Sequence, residues 1–145
     1  MSTTLKNIFY ADDDPDDQEI FQNVLEDIGS DCEIYFQSNG AELVRALENP
    51  PPSPQLVFLD LNMPAKNGYQ VLKEIRENEQ IKQTKIVVFS TASDEEAIKR
   101  TRDLGATLYL PKPESYSLLK KAISTILSID WSSYKPAEKD FVFKA

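Results

Sequence analysis

The sequence contains no histidine and a single cysteine, Cys32. The absence of histidine excludes the Ser-His-Asp and Cys-His arrangements that activate nucleophiles, and it excludes most zinc sites, which use imidazole ligands. A single cysteine cannot form an internal disulfide bond or a cysteine-based metal site. Any metal ion bound by this chain is therefore expected to be a hard cation with oxygen ligands.

Long apolar runs and an excess of positive charge are also missing. No apolar run approaches the ~20 residues that a transmembrane helix needs, and the N-terminal MSTTLKN lacks the pattern of a secretory signal. The 16 basic and 24 acidic residues give a net charge of -8. Nucleic acids and anionic membranes attract basic surfaces, so we expect a cytoplasmic protein that binds neither.

Strand-like and helix-like segments alternate along the 145 residues, a length typical of about one domain. Short apolar runs predict five strands, at about 5–10, 33–36, 56–59, 86–89 and 108–110. Each run is followed by apolar residues at helical spacing, which predicts five helices. We expect a domain over residues 1–128. The aromatic tail, residues 129–145, could pack on the domain, bind a partner or be flexible.

The predicted strands have apolar residues at nearly every position, which indicates burial on both faces. Such strands form a parallel sheet between two layers of helices. Right-handed crossover connections restrict the possible topologies. We predict a flavodoxin-like, doubly wound α/β fold with strand order 2-1-3-4-5. Ligands of such sheets bind beyond the carboxyl ends of the strands where the strand order reverses, here between the first and third strands.

Polar side chains follow four of the five strands at this predicted edge: Asp12 and Asp13, Asp60, Ser90, and Lys112. Three neighbouring carboxylates repel one another unless a cation neutralises them, and Mg²⁺ prefers such oxygen ligands. One carboxylate oxygen could then attack phosphorus, while a hydroxyl and an ammonium group bind the phosphoryl oxygens. The pattern predicts phosphorylation of an aspartate.

The chain resembles the receiver domain of bacterial two-component response regulators. The resemblance is carried by the segments IFYADDDPDD, LVFLDLNMPAKNGYQVL, IVVFSTAS and LGATLYL and by the pair Lys112-Pro113. These segments occur in the order and spacing of that family and cover roughly residues 5–128. The resemblance implies that Mg²⁺ is held by Asp12, Asp13, Asp60 and the backbone carbonyl of Asn62. It also implies that Asp60 is the phospho-acceptor.

Further roles are implied by the same resemblance. Ser90 and Lys112 would contact the phosphoryl group, with Thr91 as the alternative to Ser90, and Tyr109 would be an aromatic switch residue. Loop positions with a structural role would be Pro64, Gly68 and Pro113, and the bond before Pro113 is usually cis in that family.

The acidic segment that begins at Asp12 divides by expected role. Pro15 suits the first position of a helix and disfavours helical geometry in the residue before it, so Asp14 is the expected N-cap. Asp16 and Asp17 would lie in the first helical turn, where the helix dipole favours negative charge. We therefore expect two of these five aspartates to be functional and three to be structural.

The resemblance implies a single-domain response regulator that is not an enzyme. A partner histidine kinase or histidine phosphotransfer protein would phosphorylate Asp60, and the fourth helix, fifth strand and fifth helix would present a changed surface to an unknown downstream protein. One alternative is a phosphatase of the haloacid dehalogenase type, but Asn62 stands where such enzymes carry an acidic residue. A second alternative is an interaction module that works without phosphorylation.

Overall fold

The computed structural model describes residues 7–63, 66–136 and 138–144. Its strands are β1 (Asn7–Ala11), β2 (Glu33–Gln37), β3 (Leu56–Leu59), β4 (Ile86–Ser90) and β5 (Leu108–Pro111). Its α-helices are α1 (Pro15–Asp27), α2 (Gly40–Glu48), α3 (Gly68–Glu77), α4 (Glu95–Asp103) and α5 (Tyr116–Leu127). The strands form one parallel sheet in the order β2-β1-β3-β4-β5. The predicted fold and strand order are confirmed.

The register of the central strands places their carboxyl ends side by side. Ala11 at the end of β1 pairs with Gln37 of β2 and with Leu59 of β3. Asp60, which follows Leu59, donates its backbone N–H to the carbonyl of Ala11 over 3.0 Å. The residues directly after β1 and β3 therefore lie at the same level of the sheet edge.

The sheet is covered on both faces, as its apolar strands require. Alternate strand residues point to opposite faces: Phe9 and Val57 belong to one buried cluster, and Ile8 and Leu56 belong to the other. The first cluster includes buried residues of α2, α3 and α4, and the second includes buried residues of α1 and α5. In the part of the chain that the structure describes, no helix is long and apolar enough to span a membrane.

Helix α1 begins at the expected residue. The Asp14 side chain accepts a hydrogen bond from the backbone N–H of Asp16, which is the N-cap interaction, and Pro15 occupies the first helical position. At the other end, Gly29 follows the C-cap residue Ile28 and has a φ of 69°, a conformation that favours glycine. The helix therefore starts three residues after Asp12, directly beside the end of β1.

The aromatic tail packs on the domain. Trp131 is buried against the α1 and α5 face and donates its indole N–H to the carbonyl of Ile126 over 2.9 Å. Further along, Phe141 accepts from the backbone N–H of Tyr109 over 2.9 Å, and Phe143 donates to the Tyr109 carbonyl over 2.8 Å. The tail thus pairs with the outer edge of β5 through a parallel β-bridge between Tyr109 and Val142.

Candidate functional site

Three carboxylates meet at the carboxyl ends of β1 and β3. The ligand oxygens of Asp12, Asp13 and Asp60 all lie within 4.8 Å of one another. Asp12 and Asp60 are buried, with 0% and 5% of their surface exposed, whereas Asp13 is exposed. Two buried carboxylates and one open to solvent form an oxygen donor set of the kind that a hydrated divalent cation such as Mg²⁺ prefers.

Hydrogen bonds hold the buried Asp12 carboxylate in place. One oxygen accepts from the Tyr10 hydroxyl over 2.6 Å, and the other accepts from the backbone N–H of Asp14 over 2.9 Å. Burial first, and then the hydrogen bond to Asp12, raise the pKa of Tyr10, so this hydroxyl keeps its proton and remains a donor. Asp12 therefore has a fixed orientation that is set by residues of its own strand and turn.

The Asp60 carboxyl is the most strongly perturbed acidic group of this cluster. Burial raises its pKa from 3.8 to about 6, and the negative charges of Asp12 and Asp13 add to the effect. The Lys112 ammonium and the backbone N–H of Asn62 act in the opposite direction. At neutral pH the group is still mostly ionised, so it presents a carboxylate oxygen with nucleophilic character.

Lys112 brings a positive charge from β5 into this acidic cluster. Its backbone N–H donates to the Ser90 carbonyl over 2.8 Å, and its ammonium lies 3.0 Å from an Asp12 oxygen and 3.9 Å from an Asp60 oxygen. Burial alone would lower the pKa of Lys112, but the surrounding carboxylates outweigh burial and raise it. Lys112 is therefore a permanent cation beside Asp60.

Asp17, for which the sequence predicts only a structural role, is the carboxylate nearest to the Lys112 ammonium among the described residues. Asp17, in the first turn of α1, accepts from this ammonium over 2.8 Å. Its assignment as a helix-dipole residue is therefore incomplete, because its side chain also bonds to a predicted site residue 95 positions away in the chain. Helical spacing places Asp17 in the first turn of α1, but no local pattern shows that it meets the residue that follows β5.

The predicted switch residues form a connected set behind the cluster. Ser90 is fully buried, and its hydroxyl oxygen accepts from the backbone N–H of Ala92 over 3.2 Å, whereas Thr91 is exposed. The Tyr109 side chain is fully buried and donates its hydroxyl proton to the Ala92 carbonyl. Burial also raises the pKa of Tyr109 to about 12. The Phe141 ring of the tail covers Tyr109, with ring centroids 6.3 Å apart.

The predicted loop residues have different outcomes. Gly68 opens α3 so close to the site that an added Cβ would lie 2.7 Å from the Asp60 carbonyl oxygen, which explains a glycine there. Asn62 is exposed beside Asp60, and Pro64 lies outside the described residues. The bond before Pro113 is trans, contrary to the expectation of a cis bond. Trans is the isomer that X-Pro bonds favour intrinsically, by about 0.5–1 kcal/mol.

Comparison with known proteins shows which family this chain resembles. Residues 8–124 match the family model described as the response regulator receiver domain. Response regulator Rcp1 of a Synechocystis species is 30% identical over 128 residues, which are 85% of this chain and 87% of that protein. The DNA-binding transcriptional regulator NtrC of Escherichia coli K12 is 29% identical over 121 residues. Those residues are 81% of this chain but 24% of NtrC.

Solved structures of two related proteins share the fold. The Mn²⁺-bound form of Rcp1 has a TM-score of 0.76 and 30% identity, covering 91% of this chain and 99% of that one. The phosphorylated cyanobacterial phytochrome response regulator RcpA has a TM-score of 0.77 and 30% identity, covering 88% and 94%. The match of the family model to most of the chain and the shared fold lead to one conclusion: the chain belongs to the response regulator receiver domain family.

Proposed function

We propose that the chain is a single-domain response regulator that accepts a phosphoryl group on Asp60 in a Mg²⁺-dependent reaction. The observation that supports this proposal best is the setting of Asp60. Its carboxyl is almost fully buried, two further carboxylates lie on one side of it, and the Lys112 ammonium lies 3.9 Å away. A buried nucleophile that is surrounded by cation ligands and a fixed positive charge suits phosphoryl transfer better than a structural role.

The residues that would hold Mg²⁺ are Asp12, Asp13, Asp60 and the backbone carbonyl of Asn62. When bound, the cation offsets the negative charge of the carboxylates and of the incoming phosphoryl group. Asp12 is already oriented for this task by Tyr10 and by the turn that precedes α1. The relative Rcp1 has a Mn²⁺-bound form, which supports the proposal that this chain binds a divalent cation.

The proposed reaction begins with a phosphohistidine on a partner, since this chain has no histidine. An Asp60 oxygen attacks the phosphorus, the P–N bond breaks as the O–P bond forms, and the partner's imidazole leaves. Lys112 and Ser90 contact the transferred phosphoryl group through charge-assisted and neutral hydrogen bonds. Later, water attacks the phosphorus, which releases inorganic phosphate and restores the carboxylate. The donor is a histidine kinase or a histidine phosphotransfer protein.

We further propose that phosphorylation changes the surface formed by α4, β5 and α5, which a downstream protein binds. Ser90 is connected through Ala92 to Tyr109, so a shift of the Ser90 hydroxyl toward a phosphoryl group reaches β5 through adjacent contacts. Such a change is a shift between two populated conformations rather than a catalysed reaction. We therefore propose no catalytic role beyond loss of the protein's own phosphoryl group. The side-chain amide of Asn62 cannot act as a general acid, so it cannot protonate the leaving group of another phosphate ester.

Incubation with acetyl phosphate and Mg²⁺, followed by intact-mass analysis, tests the proposal. We expect the wild-type chain to gain one phosphoryl group and the Asp60→Asn variant to gain none. The Asp16→Asn variant is the matched control, because it removes an exposed carboxylate from the same acidic segment, and it should be labelled like the wild type. Labelling of Asp60→Asn at the wild-type level would refute the assignment of the acceptor.

A further inference from the structure

We propose that Asp17 is a positioning residue that competes with the phosphoryl group for the Lys112 ammonium, and so weakens phosphoryl binding at Asp60. This inference rests on the proposed function. Asp17 lies outside the predicted cluster of Asp12, Asp13 and Asp60, and the inference follows from the contacts of Lys112. The juxtaposition that supports it is the approach of α1 to the end of β5, which places Asp17 closer to Lys112 than any other carboxylate among the described residues.

The distances rank the three carboxylate partners of Lys112. Its ammonium lies 2.8 Å from Asp17, 3.0 Å from Asp12 and 3.9 Å from Asp60. The first two distances are those of charge-assisted hydrogen bonds, and the third is too long for a hydrogen bond. In this arrangement Lys112 is therefore bonded to α1 and β1 rather than to the residue that we propose is phosphorylated.

The ammonium has three N–H donors, of which two serve Asp12 and Asp17. At most one donor therefore remains for an anion at Asp60. A phosphoryl group at Asp60 therefore binds a lysine whose charge is already balanced in part by Asp17. The Lys112 side chain is 14% exposed and that of Asp17 is 34% exposed, so the pair is screened only in part by solvent.

The sign of the effect follows from the charges. Removing the negative charge of Asp17 leaves more of the Lys112 charge for the phosphoryl group, so anion affinity rises. Asp16 is the adjacent residue in the same helical turn, but it is exposed and lies outside the group of carboxylates around Lys112. A purely long-range effect of net charge would act almost equally at both positions, whereas competition for Lys112 acts only at Asp17.

Beryllofluoride, which mimics a phosphoryl group, provides an equilibrium test by titration calorimetry at saturating Mg²⁺. We expect Asp17→Asn to bind beryllofluoride about three- to fivefold more tightly than the wild type, which is the upper part of the range for an exposed ion pair. Asp16→Asn should stay within about twofold of the wild type. Asp17→Glu keeps the charge within reach of Lys112 and should restore the wild-type affinity. The lifetime of the phosphorylated protein should lengthen in Asp17→Asn and not in Asp16→Asn.

A double-mutant cycle tests the ion pair between Asp17 and Lys112 on which the inference depends. Urea unfolding in EDTA of the wild type, Asp17→Asn, Lys112→Gln and the double variant should show a coupling between the two positions, and the same cycle with Asp16→Asn should show none. Equal beryllofluoride affinity in Asp17→Asn and Asp16→Asn, or weaker binding in Asp17→Asn, overturns the inference while the proposed function stands. A wild-type chain that binds no beryllofluoride and takes no phosphoryl group overturns the proposed function itself.

Discussion

Replacing Asp60 with asparagine should make the metal-free protein more stable at neutral pH, although it removes the proposed phospho-acceptor. Burial and the neighbouring carboxylates raise the pKa of Asp60 from 3.8 to about 6 in the folded protein. The folded state therefore binds this proton more tightly than the unfolded state does. As the pH rises from below 4 to above 6, the unfolded chain releases the proton first. The free energy of unfolding of the wild type therefore falls over this pH range.

The magnitude follows from the two pKa values. The difference between 3.8 and about 6 corresponds to about 3 kcal/mol of unfavourable free energy for the ionised group at pH 7. At pH 4 the group is almost fully protonated in the folded state and only about 60% ionised in the unfolded chain, so the same calculation leaves less than about 1 kcal/mol. Asparagine has a similar shape and no charge. Because its amide must also be desolvated, we expect a gain of about 1–3 kcal/mol at pH 7 and a much smaller gain at pH 4.

Urea unfolding in EDTA at both pH values provides the assay. The fluorescence of Trp131, the one tryptophan of the chain and a buried residue, reports the transition. Asp103→Asn is a suitable control, because the hydrogen bond from Lys99 lowers the pKa of this exposed carboxyl, and its removal should give no gain in stability. If Asp60→Asn were no more stable than the wild type at pH 7, or if its gain were equal at both pH values, the electrostatic reasoning would be refuted.

Two further outcomes are expected. Asp13→Ala should weaken Mg²⁺ binding by at least about tenfold in calorimetric titration, because a direct carboxylate ligand is lost. The control Asp16→Ala should change the Mg²⁺ affinity by no more than about twofold. Equal losses of affinity in both variants would contradict the proposed metal site. Phe141→Ala should lower the free energy of unfolding by about 3–5 kcal/mol, since the buried ring packs on Tyr109. The exposed control Lys144→Ala should be neutral, and an unchanged urea midpoint for Phe141→Ala would show that the tail does not stabilise the domain.

Much of the fold could be predicted because its signals are local. The run Leu56–Leu59 is apolar at every position, which indicates a strand buried on both faces, and the structure has β3 at these residues. Asp14 and Pro15 begin α1 as expected from the geometry of a helix N-terminus. The alternation of strands and helices then left one favoured topology, because crossovers are right-handed.

The grouping of the site residues was also predictable, since parallel strands carry their carboxyl ends to one edge of the sheet. The structure brings Asp12, Asp13 and Asp60 within 4.8 Å of one another and places Lys112 beside them. The pairing of Asp17 with Lys112 was not predictable, because it depends on how α1 is inclined against the end of β5. Spacing along the chain shows which turn of the helix a residue occupies but not which distant side chain it meets.

The elements, their order in the sheet and the edge at which the polar residues gather could therefore be predicted from sequence, because periodicity and turn residues act over a few positions. The pKa of Asp60, the partners of Lys112 and the position of the tail on β5 follow instead from the packed fold. Burial, charge balance and edge pairing depend on distances between residues far apart in the chain. Such distances exist only after the helices and the tail have packed on the sheet.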